Sequence, residues 1–371
     1  MTDREAYVAF NLTDNIGSAG VEDLTIRHGD AVSAWEEFPA KISRLGGEVD
    51  WKGEFAKARR YGVAVLTPAD EDYPDMLRKT RGHPLVLYVK GDVKALSRPS
   101  VAIVGTRRAT AYGLDQANRF AHDLAQAGWC IVSGLALGID AEAARGALAA
   151  GGVTVGVLGS ALDRFFPEEN RELAREIVKK GGAVVSEFPF GREPDQHTFP
   201  QRNHVVAALS SGVIAVEAPI KSGTLITAEA ASSIGRVVMA VPGRVDAPRS
   251  AGCLGLIRSG ATLVRSAADV NEALSRLIAE PLKPVGRAPR MHHSAEQNKS
   301  PACPGAAPAP AFSIEESMIM RELDAEGVSM DKLVELTGLP PEKVRSLAMT
   351  LRLKERVRFL PGNRVALPRG A

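Results

Sequence analysis

Between residues 100 and 268 the chain alternates short runs of Val, Ile, Leu and Ala with longer stretches whose apolar residues recur at helical spacing. The runs SVAIVG (100–105), CIVSG (130–134), VTVGVLG (153–159), AVVSE (183–187), GVIAVEA (212–218), VVMAV (237–241) and ATLV (261–264) read as strands. They are apolar throughout rather than at every second position. That is the pattern of strands buried on both faces, as in a parallel sheet between two helix layers. Segments of helical length over 112–127, 140–150, 170–180 and 202–211 separate them. The spacing predicts an α/β domain with a doubly wound, mostly parallel sheet, whose ligand belongs at the C-terminal ends of the strands.

The flanks follow other rules. The first 70 or so residues are helix-rich without a strand rhythm, and NIGSAGVEDLTIRHGD (15–30) has a helix, glycine turn, helix pattern. Residues 281–312 hold seven prolines among Ala, Gly, Ser and Lys, a composition that buries too little apolar area to fold and reads as a linker. Beyond it, a helix starts at Ser313 with Glu315 and Glu316 in its first turn, and a second starts at Ser329. TGLPPEK turns into a third helix over 341–352, and VRFLPGNRVAL folds back around Pro361-Gly362-Asn363. That order predicts a winged helix-turn-helix. The chain therefore divides into a helical region (1–68), an α/β region (69–280), a linker (281–312) and a winged helix (313–371).

Composition narrows the classes. Aromatics make up 5% of 371 residues, which leaves the core to aliphatic side chains. The formal net charge of +2 neither requires nor excludes nucleic acid, so any cationic footprint must be local. From residue 313 onward ten Lys/Arg stand against nine Asp/Glu, and the winged helix reads equally as a DNA-binding or a protein-contact module. Cys130, Cys253 and Cys303 are scattered and share no C-x-x-C, which argues for a reducing compartment and against a disulfide framework or zinc site. His292 and His293 stand without other ligand types and read as solvated. MTDREAYVAF has no signal-peptide core and no window nears 18 uncharged apolar residues, so the expectation is a cytoplasmic protein without a membrane span.

Candidate chemistry gathers at four strand ends. The first is VGTRRATAYG, where Gly105 and Thr106 end a strand and Arg107 and Arg108 follow. The second is VSGLALGIDAEAARGAL, where Ser133 and Gly134 open a loop toward Asp140, read as an acid at a helix start. The third is FPQRNHVVAALS, with Phe199, Arg202 and Asn203 near a helix start. The fourth is VEAPIKSGTLITAEA, with Lys221, Ser222, Gly223 and Thr224. Glycines let backbone N–H groups approach a phosphate, a helix N-terminus adds partial positive charge, and arginine presents a fork that fits phosphate oxygens. None of the four is a nucleotide P-loop, which needs G-x-x-x-x-G-K-[ST], nor the G-x-G-x-x-G of a dinucleotide site. No Ser, Cys or Thr has an evident base beside it, and no Glu stands with His at metal spacing, so no catalytic group, metal or cofactor is expected.

Taken together, VAIVGTR, VSGLALGIDAEAARGAL, GVTVGVLGSALDRFFPEEN, FPQRNHVVAALSSGVIAVEAPIKSGTLITAEAASSIGR and AVPGRVDAPRSAGCLGLIRSGATLV resemble the DNA-processing protein A (DprA/Smf) family. The lead-in YPDMLRKTRGHPLVLYVKGD is similar too, and the likeness runs from about 66 to 268. It implies an extended Rossmann-like domain flanked by a helical domain like a sterile alpha motif and by a winged helix. It implies a non-catalytic, dimeric binder of single-stranded DNA that loads the RecA recombinase onto incoming strands in natural transformation. The DNA-binding residues it carries over are Gly105, Thr106, Arg107, Ser133, Gly134, Phe199, Arg202, Asn203, Lys221, Ser222, Gly223 and Thr224. Three positions depart from the family pattern: Leu137 and His204 where arginine is common, and Ala144 where histidine is common.

Two other readings stay open. A nucleoside-monophosphate phosphoribohydrolase of the lysine-decarboxylase-like group has the signature P-G-G-x-G-T-x-x-E at about the place of PIKSGTLITAE. Here two of its glycines are missing, and Glu229 lies five residues after Thr224 rather than three. The winged helix would instead make the chain a regulator of duplex DNA, through Lys343, Arg345 and Arg352.

Overall fold

Alternate residues of the third strand, Val101 and Ile103 on one side and Ala102 and Val104 on the other, enter two separate apolar cores. This is what a strand buried on both faces must do, because its side chains alternate across the sheet. The structure, a computed structural model, describes residues 1–14, 16–38, 48–275, 282, 314–323, 327–341, 343–344, 347–348, 351, 357–360 and 364–366. Two compact units are present, Met1–Arg290 and Met291–Ala371. The helical region expected over 1–68 and the α/β region expected over 69–280 both fall in the first.

The first unit begins with α1 (Asp3–Leu12), α2 (Ser18–His28), α3 (Ala31–Glu37) and α4 (Trp51–Tyr61), followed by β1 (Ala64–Leu66), α5 (Asp75–Arg78) and β2 (Leu87–Gly91). Thr2 and Glu5 form a capping box at α1: Glu5 N donates to Thr2 Oγ1 at 3.3 Å and Thr2 N to Glu5 Oε2 at 2.8 Å. Then come β3 (Ser100–Gly105), α6 (Ala111–Gln126), β4 (Cys130–Ser133), α7 (Ile139–Ala149), β5 (Thr154–Val157), α8 (Arg171–Lys179) and β6 (Ala183–Ser186). The chain continues through α9 (Thr198–Ala208), β7 (Gly212–Val216), α10 (Gly223–Ser233), β8 (Val237–Ala240), α11 (Ala251–Arg258), β9 (Thr262–Leu263) and α12 (Ala267–Leu274).

The nine strands lie in the order β1-β2-β6-β5-β4-β3-β7-β8-β9. From β6 to β9 every pairing is parallel, and β2 joins β6, and β1 joins β2, antiparallel. After β3 the chain builds outward through β4, β5 and β6, then returns to lay β7 on the other side of β3. That reversal makes β3/β7 the topological switch point, where a crevice opens beyond the strand ends. The doubly wound sheet predicted from the apolar runs is therefore present. Two elements differ from the pattern reading. β1 was not foreseen, because three residues are too few to show a period. α9 begins at Thr198, four residues before the expected start, because the Asp195 side chain accepts the N–H groups of His197 and Thr198 at 2.7 and 2.9 Å.

The N-terminal helices bury a core of their own against the antiparallel edge, with Phe10 edge-on to Trp35 at 5.0 Å and Val65, Val86, Tyr88 and Phe190 joining it. Within it Glu54 of α4 is buried, accepts the Phe190 N–H at 2.8 Å and lies 3.5 Å from Lys57 Nζ. Burial pushes its carboxyl above the ordinary value of 4.5. A carboxyl raised in the folded chain holds a proton that the unfolded chain has already released, so its contribution is full below the unfolded pKa and is lost as pH rises through the folded one. Glu54→Gln keeps an acceptor for Phe190 and cannot ionise. Its melting temperature is expected to match the parent below about pH 4.5 and to exceed it increasingly above, as a differential scanning calorimetry series would read.

In the second unit the described elements are α13 (Ile314–Arg321), β10 (Val328–Ser329), α14 (Met330–Thr337), β11 (Arg358–Leu360) and β12 (Arg364–Ala366). Ser329 caps α14 by accepting Lys332 N at 3.3 Å, and the strands pair antiparallel in the order β10-β12-β11. Ile319, Leu333, Val344, Leu351 and Val365 form its core. Glu342, Arg345, Arg352 and the turn 361–363 lie outside the described residues, as do His292, His293 and Cys303 of the linker.

Candidate nucleic-acid interface

The switch point is built by close backbone approach. A Cβ on Gly105 would overlap the Val216 carbonyl of β7 and the side chain of Ile139, so glycine alone lets β3 end against both β7 and α7. The turn that follows is clamped from β7. Thr106 N donates to the Glu217 carbonyl at 2.8 Å, and the Glu217 carboxylate accepts Thr110 N at 2.8 Å and the Thr110 hydroxyl. Glu217 adopts a φ of +50°, rare for a non-glycine residue, and is buried. This clamp leaves Arg107 and Arg108 exposed on the rim. In the sequence Glu217 looked like an acid that merely ends a strand; its partner Thr110 lies 107 residues away.

Beneath the rim sit two opposite charges, both 5% exposed: Arg202 on the first turns of α9 and Asp140 on the first turn of α7. Arg202 donates to the carbonyls of Gly134 and Val157 (2.8 Å to the latter) and through Nε to Asn203 Oδ1 at 3.0 Å. Asp140 accepts Gly105 N at 3.3 Å. Burial lowers the Arg202 pKa to about 10 despite Asp140, and burial raises that of Asp140 despite Arg202. A Cβ on Gly134 would come within 2.6 Å of the Arg202 guanidinium carbon and 2.8 Å of Asp140 Oδ2, so the second glycine turn exists to admit this pair. The fork of Arg202 is thus turned largely inward.

On α9 three residues earlier, the ring of Phe199 has Arg107 Cζ at 4.9 Å, Arg202 Cζ at 6.0 Å and the Phe166 ring at 6.0 Å. Across the crevice, α10 starts at Gly223 with Ser222 as its cap residue. The Ser222 hydroxyl makes no capping bond and is buried without a partner. The Gly223 carbonyl accepts Asn203 Nδ2 at 3.3 Å and the Thr227 hydroxyl at 3.2 Å, tying α9 to α10.

Between these elements lies a cavity of about 630 Å³. It is lined by Gly105, Thr106, Arg107, Phe199, Arg202, Asn203, Lys221, Ser222, Gly223 and Thr224, so three of the four selected turns meet in one crevice. The other turn stands apart. Gly134 lines a small adjoining cavity of about 40 Å³, and Ser133 is fully buried with its hydroxyl accepting Leu135 N at 3.2 Å. The lining also includes Arg108, Gln196, Ile226 and Arg249, which the sequence reading had not selected. Arg249 follows β8 in a Pro-Arg-Ser turn, and its place after a strand was the available signal. Asp140 is the sole carboxylate of the lining. Glu229 is exposed on α10 and lines other grooves. Among the described residues no group of three or more His, Cys, Asp or Glu could hold a metal, and no helix is long and apolar enough to cross a membrane.

A family model described as DNA recombination-mediator protein A matches residues 64–275, and one for the DprA winged helix domain matches 304–363. The chain is 41% identical to Protein Smf of Synechocystis sp. over 226 residues, 60% of this chain and 56% of that protein. It is 38% identical to DNA processing protein DprA of Bacillus subtilis over 240 residues, 64% of this chain and 77% of that one. The match thus spans little more than half of the Synechocystis relative's length. The X-ray structure of DprA from Streptococcus pneumoniae superposes with a TM-score of 0.63 at 30% identity, covering 74% of this chain and 98% of that one. The structure of DNA processing protein A from Helicobacter pylori, solved for its single-stranded DNA binding mode, gives 0.52 at 32% identity over 58% of this chain and 96% of that one.

Proposed function

The chain belongs to the DNA recombination-mediator protein A family, and from that premise we propose that it binds single-stranded DNA in the β3/β7 crevice without reacting with it. The observation that carries this reading is the convergence of Arg107, Lys221 and the α10 N-terminus on one open cavity. Neither Arg107 nor Lys221 has a carboxylate partner among the described residues. Arg107 offers a fork to one phosphate. Lys221 offers a point charge to the next, and the free N–H groups of α10 add their partial positive charge. Phe199 supplies a ring on which a base stacks, worth about 1–3 kcal/mol per base and nearly indifferent to which base it is. Arg202, held by carbonyls, raises the local potential from below and keeps Phe199 in place.

The reading is non-enzymatic because the lining pairs no nucleophile with a base and its sole carboxylate is already engaged by Gly105. The phosphoribohydrolase alternative loses support, since Glu229 faces away from the crevice. Dimerisation and delivery of the strand to RecA belong to the same proposal through family membership. The full chain should bind a labelled oligo-dT in preference to a hairpin duplex of equal length, speed RecA assembly on that strand, and release no ribose 5-phosphate from AMP. Preference for the duplex, or steady release of ribose 5-phosphate, would overturn it.

A further inference from the structure

A second cavity, of about 410 Å³, lies beside the antiparallel edge of the sheet, with β5 and β4 between β6 and the β3/β7 crevice. Its floor is apolar: Val63, Leu162, Phe165, Ala174, Val178 and Val184. Tyr61, 46% exposed and stacked on Phe190 at 5.3 Å, forms an aromatic wall.

Its rim is cationic on two sides. Lys90 of β2 has its ammonium held by the carbonyls of Tyr61 and Gly62 at 2.5 and 3.2 Å, which fixes its position and leaves its charge unneutralised. Opposite, Arg171, Arg175 and Lys179 line the cavity from α8. Successive members are four residues apart, so they form a ridge with about 6 Å between charges and about 12 Å from end to end. Arg171 and Arg175 pair with Glu168 and Glu172, whose side chains are 70% and 83% exposed and do not line the cavity. Such solvated pairs are worth about 0–1 kcal/mol and exchange readily for a better-placed anion. Lys179 has no carboxylate partner among the described residues.

We propose that this cavity docks an acidic peptide from another protein: an extended segment with carboxylates at alternate positions and one bulky apolar side chain in the pocket. Charge complementarity selects this occupant. Alternate side chains of an extended chain recur about every 6.6 Å on one side, close to the spacing of the α8 ridge. A lipid headgroup would engage one cation of the ridge, and a polynucleotide would leave the apolar floor unfilled.

The test is fluorescence anisotropy of the full chain with a labelled Asp-Asp-Asp-Leu-Pro-Phe peptide. Two control peptides replace every Asp by Asn, or Leu and Phe by Gly. Saturable binding is expected for the parent peptide, weakened at least roughly tenfold in either control and in Arg175→Glu/Lys179→Glu. Unchanged melting temperature and oligo-dT affinity show that the variant is folded, and Arg175→Ala/Lys179→Ala serves should the reversal unfold it. No saturable binding, equal binding of the Asn peptide or by the folded variant, or displacement of the peptide by oligo-dT each overturns the proposal.

Discussion

Asp140→Ala is expected to destabilise the sheet-bearing unit by about 3–5 kcal/mol, the usual cost of stranding a buried charge without its counter-charge. Arg202 cannot relax toward solvent, because its guanidinium is held by the carbonyls of Gly134 and Val157 and is 5% exposed. Removing Asp140 also leaves Gly105 N without its acceptor where β3 meets α7. The three tryptophans, Trp35, Trp51 and Trp129, all lie in Met1–Arg290, so guanidinium unfolding followed by their fluorescence reports that unit alone. Asp140→Asn, which keeps an oxygen for Gly105 and loses only the charge, should fall between the parent and the alanine variant. An alanine variant within about 1 kcal/mol of the parent would show that Arg202 is neutralised in another way.

The second large effect is on binding. Arg107→Ala with Lys221→Ala is expected to weaken oligo-dT binding roughly a hundredfold, from two charge-assisted contacts of about 1.5 kcal/mol each. The plot of log K against log salt should also flatten by about 1.4, at about 0.7 for each single-strand phosphate no longer neutralised. Both side chains are exposed and neither bonds to another element, so folding should be unaffected. Arg145→Ala removes a cation that is paired with Glu142 on α7 and outside the crevice, and should change affinity by less than about twofold. Equal loss in the Arg145 variant would mean that binding follows overall charge rather than this crevice.

The sheet was legible because strands buried on both faces leave unbroken apolar runs, and β3 to β8 all carry one. From those runs alone the strand ends could be located, and three of the four turns singled out there line one cavity. What the sequence hid are relations over long separations. Arg202 looked like a free fork at a helix start, yet its acceptors Gly134 and Val157 lie 68 and 45 residues away. Ser133 and Gly134 looked like a phosphate turn. Their smallness instead serves the Arg202–Asp140 contact beneath the crevice floor. Lys221 and Arg107 kept the character their sequence suggested because they sit on the rim, where no distant residue competes for them.

Photo-crosslinking of the full chain to a short oligo-dT carrying 4-thiothymidine, followed by peptide mapping, addresses the crevice most directly. The account predicts adducts within 104–110, 196–203 and 219–227, with Phe199 foremost, and their loss in the Arg107→Ala/Lys221→Ala variant. Adducts confined to α8 or to residues 313–371, with the crevice unlabelled, would contradict it.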